Sequence, residues 1–393
     1  MGQINTDHFM NTRIEAWLHR QQPNIATLDI PELGAAVGTT IGQVRKENQD
    51  RTIIARLSNI SGLAPTTIFA VCDGMGGMVD GGQCAEKTLA ILLDSFIQSQ
   101  SRNIKDRLWA SIIAANKEIF HQYRQRGGAT LTILCRTADI CFAASVGDTR
   151  LYSLGPGSLL KQVTIDDTIA GELNRKKAFR TENIQLEPFA NQLAQFIGIG
   201  EGLETRMYDL PIQTDISHFI ASDGAYNIGT AFERILMNAS SAFSAAERII
   251  SASLWMGGKD NATIICIGQA RKEAQFEYRE TLLEFWNATG KLEVITGRYP
   301  QMPERQSMIT TYPKEPIDNR KDRGRKVTKG RGKIEQQRTK PRSPDPIRPM
   351  LEIDFGKSIG QNSAAKDYNS QPRPTDENVT SQEPRPSTIE SEE

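Results

Sequence analysis

Five aspartates recur at the edges of apolar runs in this 393-residue chain. One closes the run Val71-Cys72-Asp73-Gly74-Met75-Gly76-Gly77, and a second lies in Ser217-His218-Phe219-Ile220-Ala221-Ser222-Asp223-Gly224. Ala143-Ala144-Ser145-Val146-Gly147-Asp148-Thr149-Arg150 holds a third between two strand-like segments. A fourth, in Gly257-Gly258-Lys259-Asp260-Asn261-Ala262-Thr263, opens a strand, and a fifth, Asp50, follows Arg45 by five residues. A carboxylate at a strand end, with neighbours too small to block a hydrated ion, suits divalent-metal or phosphate chemistry. Taken singly, Asp-Gly is ordinary turn chemistry. Five such aspartates at strand edges are hard to explain as turns alone.

The elements that must position them are legible in outline. Apolar runs and alternating segments predict strands near 36–41, 51–57, 67–73, 130–136, 139–146, 150–154, 218–222 and 262–268. Helical spacing marks 82–98 and 104–123, with Leu89, Leu92, Leu93, Phe96 and Ile97 on one side of the first, and two further helices are expected near 229–238 and 243–256. Strands grouped apart from helices, with short links, argue for antiparallel sheets and an α+β class rather than a doubly wound fold.

Jointly, Arg45, Asp50, Asp73, Asp148, Asp223 and Asp260 resemble, in order, the metal-dependent protein phosphatase family of type 2C. The matching elements are Arg-x-x-Asn-x-Asp, Asp-Gly-x-Gly-Gly, Gly-Asp-Ser/Thr-Arg, Ser-Asp-Gly and a closing Asp-Asn. Gly127-Gly128-Ala129-Thr130-Leu131 is similar to the family's Gly-Ser/Ala-Thr segment. The resemblance spans about residues 36 to 268. It implies two packed antiparallel β-sheets flanked by α-helices, a four-layer α-β-β-α sandwich with metals at one end. It also implies serine/threonine protein phosphatase activity, a bacterial-type member, and two Mn2+ or Mg2+ ions.

Hard-cation preferences then suggest roles. Two close ions need shared oxygen ligands and retain waters. Asp73 is the candidate bridging ligand with the Gly74 carbonyl beside it, Asp223 and Asp260 complete one shell, and Asp50 holds ions through waters. By resemblance, Asp148 with Asp223 binds a weaker third ion. A water bridging the two principal ions would become hydroxide near neutral pH and attack phosphorus in line, with no phosphoenzyme. Arg45 is expected to grip the phosphate, because its planar fork matches two oxygens. Arg150 is expected to pair with a local carboxylate, and Thr130 and Asn261 to support the ligands or their turns.

Three positions depart from the family's commoner patterns. Met75 stands where many eukaryotic members carry a histidine acid, leaving protonation of the leaving group to water; bacterial-type members also carry methionine there. Gln49 replaces a frequent glutamate, and Asp166-Asp167-Thr168 stands where bacterial relatives often show Asp-His-Ser, in the segment 164–201 expected to form a flap.

Rival chemistries lack their residues. A tyrosine-phosphatase loop needs a cysteine six positions before an arginine, and none exists; Cys266 precedes Arg271 by five. A haloacid-type aspartyl phosphatase wants Asp-x-Asp, which Asp73-Gly74-Met75 does not supply. The alternative that remains is a catalytically silent phosphatase-fold module for regulation or binding, which should have lost one or more of these aspartates.

Around this unit the chain is expected to divide into a polar leader (1–35) with a short helix near Arg13 to Arg20, the catalytic domain (36–268), a C-terminal helix region (269–299) and a disordered charged tail (300–393). The helix is expected over Phe276 to Trp286, packed on the domain. Net charge is zero, from 47 basic and 47 acidic residues, yet the tail segregates charge: a basic run from Arg320 to Arg342, then Glu390-Ser391-Glu392-Glu393. Such a run can meet an acidic partner, but no aromatic is interleaved to stack on bases, which argues against nucleic acid. The five cysteines lack paired spacing and read as reduced core residues of a cytoplasmic protein. No segment approaches membrane-spanning length. Phosphoproteins and a cognate serine/threonine kinase are the implied partners.

Overall fold

The computed structural model describes residues 9–20, 23–58, 60, 63–75, 80–157, 159–171, 192–213, 215–268 and 281–296. In chain order they form α1 (Phe9–Leu18), β1 (Ile25–Ile30), β2 (Ala35–Thr40), β3 (Asp50–Ser58), β4 (Thr66–Asp73), α2 (Gly81–Gln98) and α3 (Ile104–Tyr123). There follow β5 (Leu131–Arg136), β6 (Cys141–Val146), β7 (Arg150–Leu154), β8 (Lys161–Gln162), β9 (Arg206–Leu210) and β10 (Ser217–Ala221). The remainder is α4 (Asp223–Tyr226), α5 (Thr230–Asn238), α6 (Ala242–Trp255), β11 (Ala262–Ile267), β12 (Thr281–Asn287) and β13 (Gly290–Thr296).

The strands build two antiparallel sheets, of order β1-β2-β11-β10-β7-β8 and β13-β12-β3-β4-β5-β6-β9. Ile54, Phe69, Val71, Leu134, Ile220 and Ile265 fill the space between them. α1, α2 and α3 cover the outer face of the seven-stranded sheet through Ile14, Leu18, Leu89, Leu93 and Leu108 against Ile53, Ile68 and Ile133. α5 and α6 cover the other sheet with Phe232, Ile249 and Ile250. This is the four-layer α-β-β-α sandwich. Because both faces of the central strands are covered, β4 is apolar almost throughout rather than alternating.

Three expectations are corrected. Of the helix expected over Phe276 to Trp286, residues 276–280 lie outside the described residues, and Thr281–Asn287 is strand β12, paired with β3 and β13. Leu283 and Phe285 face the helical layer while Trp286 faces the inter-sheet core, so apolar residues on both sides mimic a helical cluster. Residues 9–30 are part of the fold rather than a leader: α1 forms slightly earlier than expected and buries Met10, Ile14, Trp17 and Leu18, at i, i+4, i+7 and i+8, while β1 pairs with β2 along its length. The packed unit therefore extends beyond 36–268 at both ends. The tail (300–393) lies outside the described residues.

Candidate metal centre

Strand parity sets the centre. On β3, Ile53, Ala55 and Leu57 turn to the helices, so Asp50 shares the inner face with Ile54. On β4, Ile68, Ala70 and Cys72 turn outward, so Asp73 follows Phe69 and Val71 inward. Asp50 and Asp73 are register partners, which sets two carboxylates side by side at one end of the sandwich.

Asp223 arrives from the opposite sheet at the first residue of α4, two residues after β10, and Asp260 arrives two residues before β11. Burial pushes the Asp73 carboxyl well above its usual range, and Asp50, Asp223, Asp148 and Asp260 push it further by charge repulsion. Asp223 is raised to about 7, by burial and then by Asp260, Asp148 and Asp50. Asp148 is raised to about 6, by burial and then chiefly by Asp166. The structure thus brings all five predicted aspartates into one field.

Asp50 is 3% exposed and its Oδ1 has no hydrogen-bond partner, while Oδ2 accepts from the Ser222 hydroxyl at 2.8 Å. Ser222 occupies a helix N-cap position without capping; its oxygen instead accepts the Thr263 amide at 2.9 Å. Behind it, Asn48 donates to Thr39 (2.8 Å), and Thr39 and Thr263 share a hydrogen bond of 2.7 Å. These buried hydroxyls stitch the two sheets together under the carboxylates. Sequence reasoning placed Ser222 in a motif but gave it no role, because its partner is 172 residues away.

Two glycines are required by close approach. A Cβ on Gly74 would collide with the Gly81 carbonyl oxygen, and Gly42 (φ 80°) lies against the Asp260 and Gly258 carbonyls. Thr130 accepts the Asp73 amide at 3.0 Å. Asn261 accepts the Gln49 amide at 2.8 Å and donates to the carbonyls of Ile41 and Glu47, tying the Arg45 loop to β11. Arg150 grips Asp166 with Nε and Nη2 at 2.7–3.1 Å. Asp167, fully buried, accepts from Arg206 and from the Gly147 amide. Both acids of Asp166-Asp167-Thr168 thus have ion-pair partners.

Arg45 points at the cluster, and its Nη2 donates to Asp260 Oδ2 at 2.7 Å. That hydrogen bond, then the charges of Asp260, Asp73 and Asp223, hold its guanidinium protonated beyond its usual range.

Among the described residues, no three His, Cys, Asp or Glu side chains converge on one point as direct ligands. The donor set nonetheless fits hard cations: concentrated anionic oxygen, one buried carboxylate oxygen without a partner, and a glycine carbonyl at the strand end. Ions that keep several waters need few direct protein ligands.

No protein-family model matches the chain. The serine/threonine phosphatase stp of Listeria monocytogenes serotype 4b is 27% identical over 240 residues, covering 58% of this chain and 93% of the relative. The serine/threonine protein phosphatase PstP of Mycobacterium tuberculosis (strain CDC 1551 / Oshkosh) is 25% identical over 223 residues, 55% of this chain and 43% of that protein. Among solved structures, the PPM Ser-Thr phosphatase MsPP from Mycobacterium smegmatis matches with a TM-score of 0.50 at 24% identity, covering 60% of this chain and 98% of that one. Stp1 from Staphylococcus aureus gives 0.51 at 20% identity, covering 64% and 99%. The solved structures speak to the fold, and the sequence relatives, joined to the ordered aspartate motifs, speak to the lineage. In sequence and in fold, the chain is similar to the bacterial serine/threonine phosphatases of type 2C.

Proposed function

We propose that this chain hydrolyses phosphoserine and phosphothreonine in proteins by direct in-line attack of water on phosphorus, without a phosphoenzyme. The observation that carries the reading is the field of four further carboxylates, drawn from both sheets, around the buried Asp73. Mn2+ or Mg2+, two ions with a weaker third, would relieve that repulsion and supply Lewis-acid charge and an acidified water. Asp73 would be shared by the two principal ions with the Gly74 carbonyl as a second donor, Asp223 and Asp260 would complete the ligand set, Asp50 would act through waters, and Asp148 with Asp223 would serve the third. The Ser222 hydroxyl keeps one Asp50 oxygen occupied and so orients the other.

Arg45 holds the phosphate dianion and is itself steadied by Asp260. Attack forms one P–O bond as the ester P–O bond breaks. Met75 has no proton to give, so the departing serine or threonine oxygen takes its proton from water. Five free, buried cysteines support a reducing, cytoplasmic setting. Among the described residues no helix is long and apolar enough to cross a membrane. In this setting the enzyme opposes a serine/threonine kinase, and the charged tail sets location or partner choice.

The test is hydrolysis of p-nitrophenyl phosphate and of a phosphothreonine peptide. Turnover should require Mn2+ or Mg2+, stop in chelator, and fall to background in Asp73→Ala and Asp223→Ala. Activity that persists in chelator or survives both substitutions would sink the two-metal mechanism. A wild-type protein that binds Mn2+ but turns over neither substrate would favour the silent binding module.

A further inference from the structure

The same parity that turns Asp50 toward the centre turns Arg51 the other way, under α2, where the proposed chemistry has no use for it. There Arg51 joins three segments. Its Nη1 donates to the carbonyls of Asn48 (2.6 Å) and Asp50 (2.9 Å), so one nitrogen grips the backbone on both sides of residue 49. Its Nε (2.9 Å) and Nη2 (2.5 Å) both donate to Glu86 Oε1 on α2. Glu86 is 2% exposed, and its second oxygen accepts from His19 Nδ1 at 2.9 Å, just beyond the end of α1. One residue on, Lys87 pairs with Glu15 of α1 at 2.8 Å.

This buried carboxylate is therefore satisfied from two sides, by the strand that carries Asp50 and by the N-terminal segment. The first turn of α2 is pressed against the same place. A Cβ at Gly82 would stand 3.3 Å from Arg51 Nη2, and one at Gly81 would stand 3.1 Å from Gln49 Oε1. The Gly74 amide in turn donates to the Gln49 carbonyl at 3.3 Å. The clamp thus holds the backbone of Asp50 directly and reaches that of Gly74 through residue 49, and neither of its side chains belongs to the metal site.

We propose that Arg51 and Glu86 are positioning residues of the metal centre, setting the backbone that aims Asp50 and Gly74, and that the N-terminal segment tunes metal affinity through His19 and Glu86. The proposal rests on the metal reading above. A lysine at 51 cannot reproduce the clamp, because an ammonium lacks the planar fork that serves two carbonyls and a carboxylate at once.

The test is Mn2+ titration by calorimetry of the full chain stripped of metal, with thermal unfolding in chelator and p-nitrophenyl phosphate kinetics at saturating Mn2+ alongside. Arg51→Lys and Glu86→Gln should weaken Mn2+ binding by about 10- to 100-fold, the range for residues that orient ligands, while kcat at saturating Mn2+ changes far less. His19→Ala removes a side chain that is 68% exposed, so the fold survives it, and Mn2+ binding should weaken measurably. A lowered melting temperature with wild-type Mn2+ affinity in these variants would reduce the clamp to a buttress and overturn the proposal. If the two clamp variants fail to fold, His19→Ala decides: unchanged affinity overturns the tuning. A wild-type protein that takes up no Mn2+ would instead overturn the metal reading itself.

Discussion

Individual side chains here matter by which way they point. Asp50 and Arg51 are neighbours, yet one faces a carboxylate cluster between the sheets and the other a buried glutamate beneath a helix. Hydroxyls that would be unremarkable in a sequence, Ser222, Thr39 and Thr263, become the buried hydrogen-bonding layer under the site. His218 shows the cost when such a partner is absent. It is 5% exposed, its Nε2 has no hydrogen-bond partner, and burial, with Arg136 nearby, lowers its pKa to about 4. Its folded value lies below its unfolded value, so the unfolded chain binds the proton first as pH falls. No stability is lost from this group above the unfolded pKa near 6.5, and the loss grows as pH drops toward 4, reaching about 3 kcal/mol. His218→Gln should flatten the fall in denaturant midpoint across that window. An unchanged slope would mean another group carries the acid sensitivity.

At the scale of elements, the β12–β13 hairpin decides where the packed unit stops. β12 lies directly against β3, whose first residue is Asp50, and it buries Leu283, Phe285 and Trp286 on both faces of the sheet. Without the hairpin, β3 becomes an open edge with unpaired amides and carbonyls. Truncating Phe285 alone should cost about 3–5 kcal/mol, much of the stability of an ordinary domain. A chain ending at residue 268 should therefore aggregate or melt far below wild type, whereas one ending at 299 should keep the wild-type melting temperature. Equal melting temperatures for the two would show the hairpin to be an appendage. The clean patterns were legible, β4 as an unbroken apolar run and the helices α2 and α3 as one helical period repeated over many residues. β1, β8 and β9 were not: they are short or half-exposed and lie at or next to sheet edges, where pairing rather than side-chain pattern defines a strand.

For the molecule as a whole, two sheets packed face to face bring strand ends together from positions 50 to 260 in sequence, and the carboxylates ride on those ends. Among the described residues, helices on both outer faces close the apolar layers. Deleting 301–393 should spare turnover of p-nitrophenyl phosphate and of a short phosphopeptide. A large loss in either assay would give the tail a catalytic part.

The spacing and order of Arg45, Asp50, Asp73, Asp148, Asp223 and Asp260 were enough to point to the family and its chemistry. Ligand chemistry restricts residue type at each position however the chain travels between them. Contacts that join distant segments carry no such local mark. Ser222 reaching Asp50, β12 closing on β3, and the path from His19 through Glu86 to Arg51 depend on register and on which face is buried. A one-residue shift in either would exchange Asp50 with Arg51. The aspartate among glycines at the end of β4 became specific for the same reason, since folding sets four more carboxylates around it.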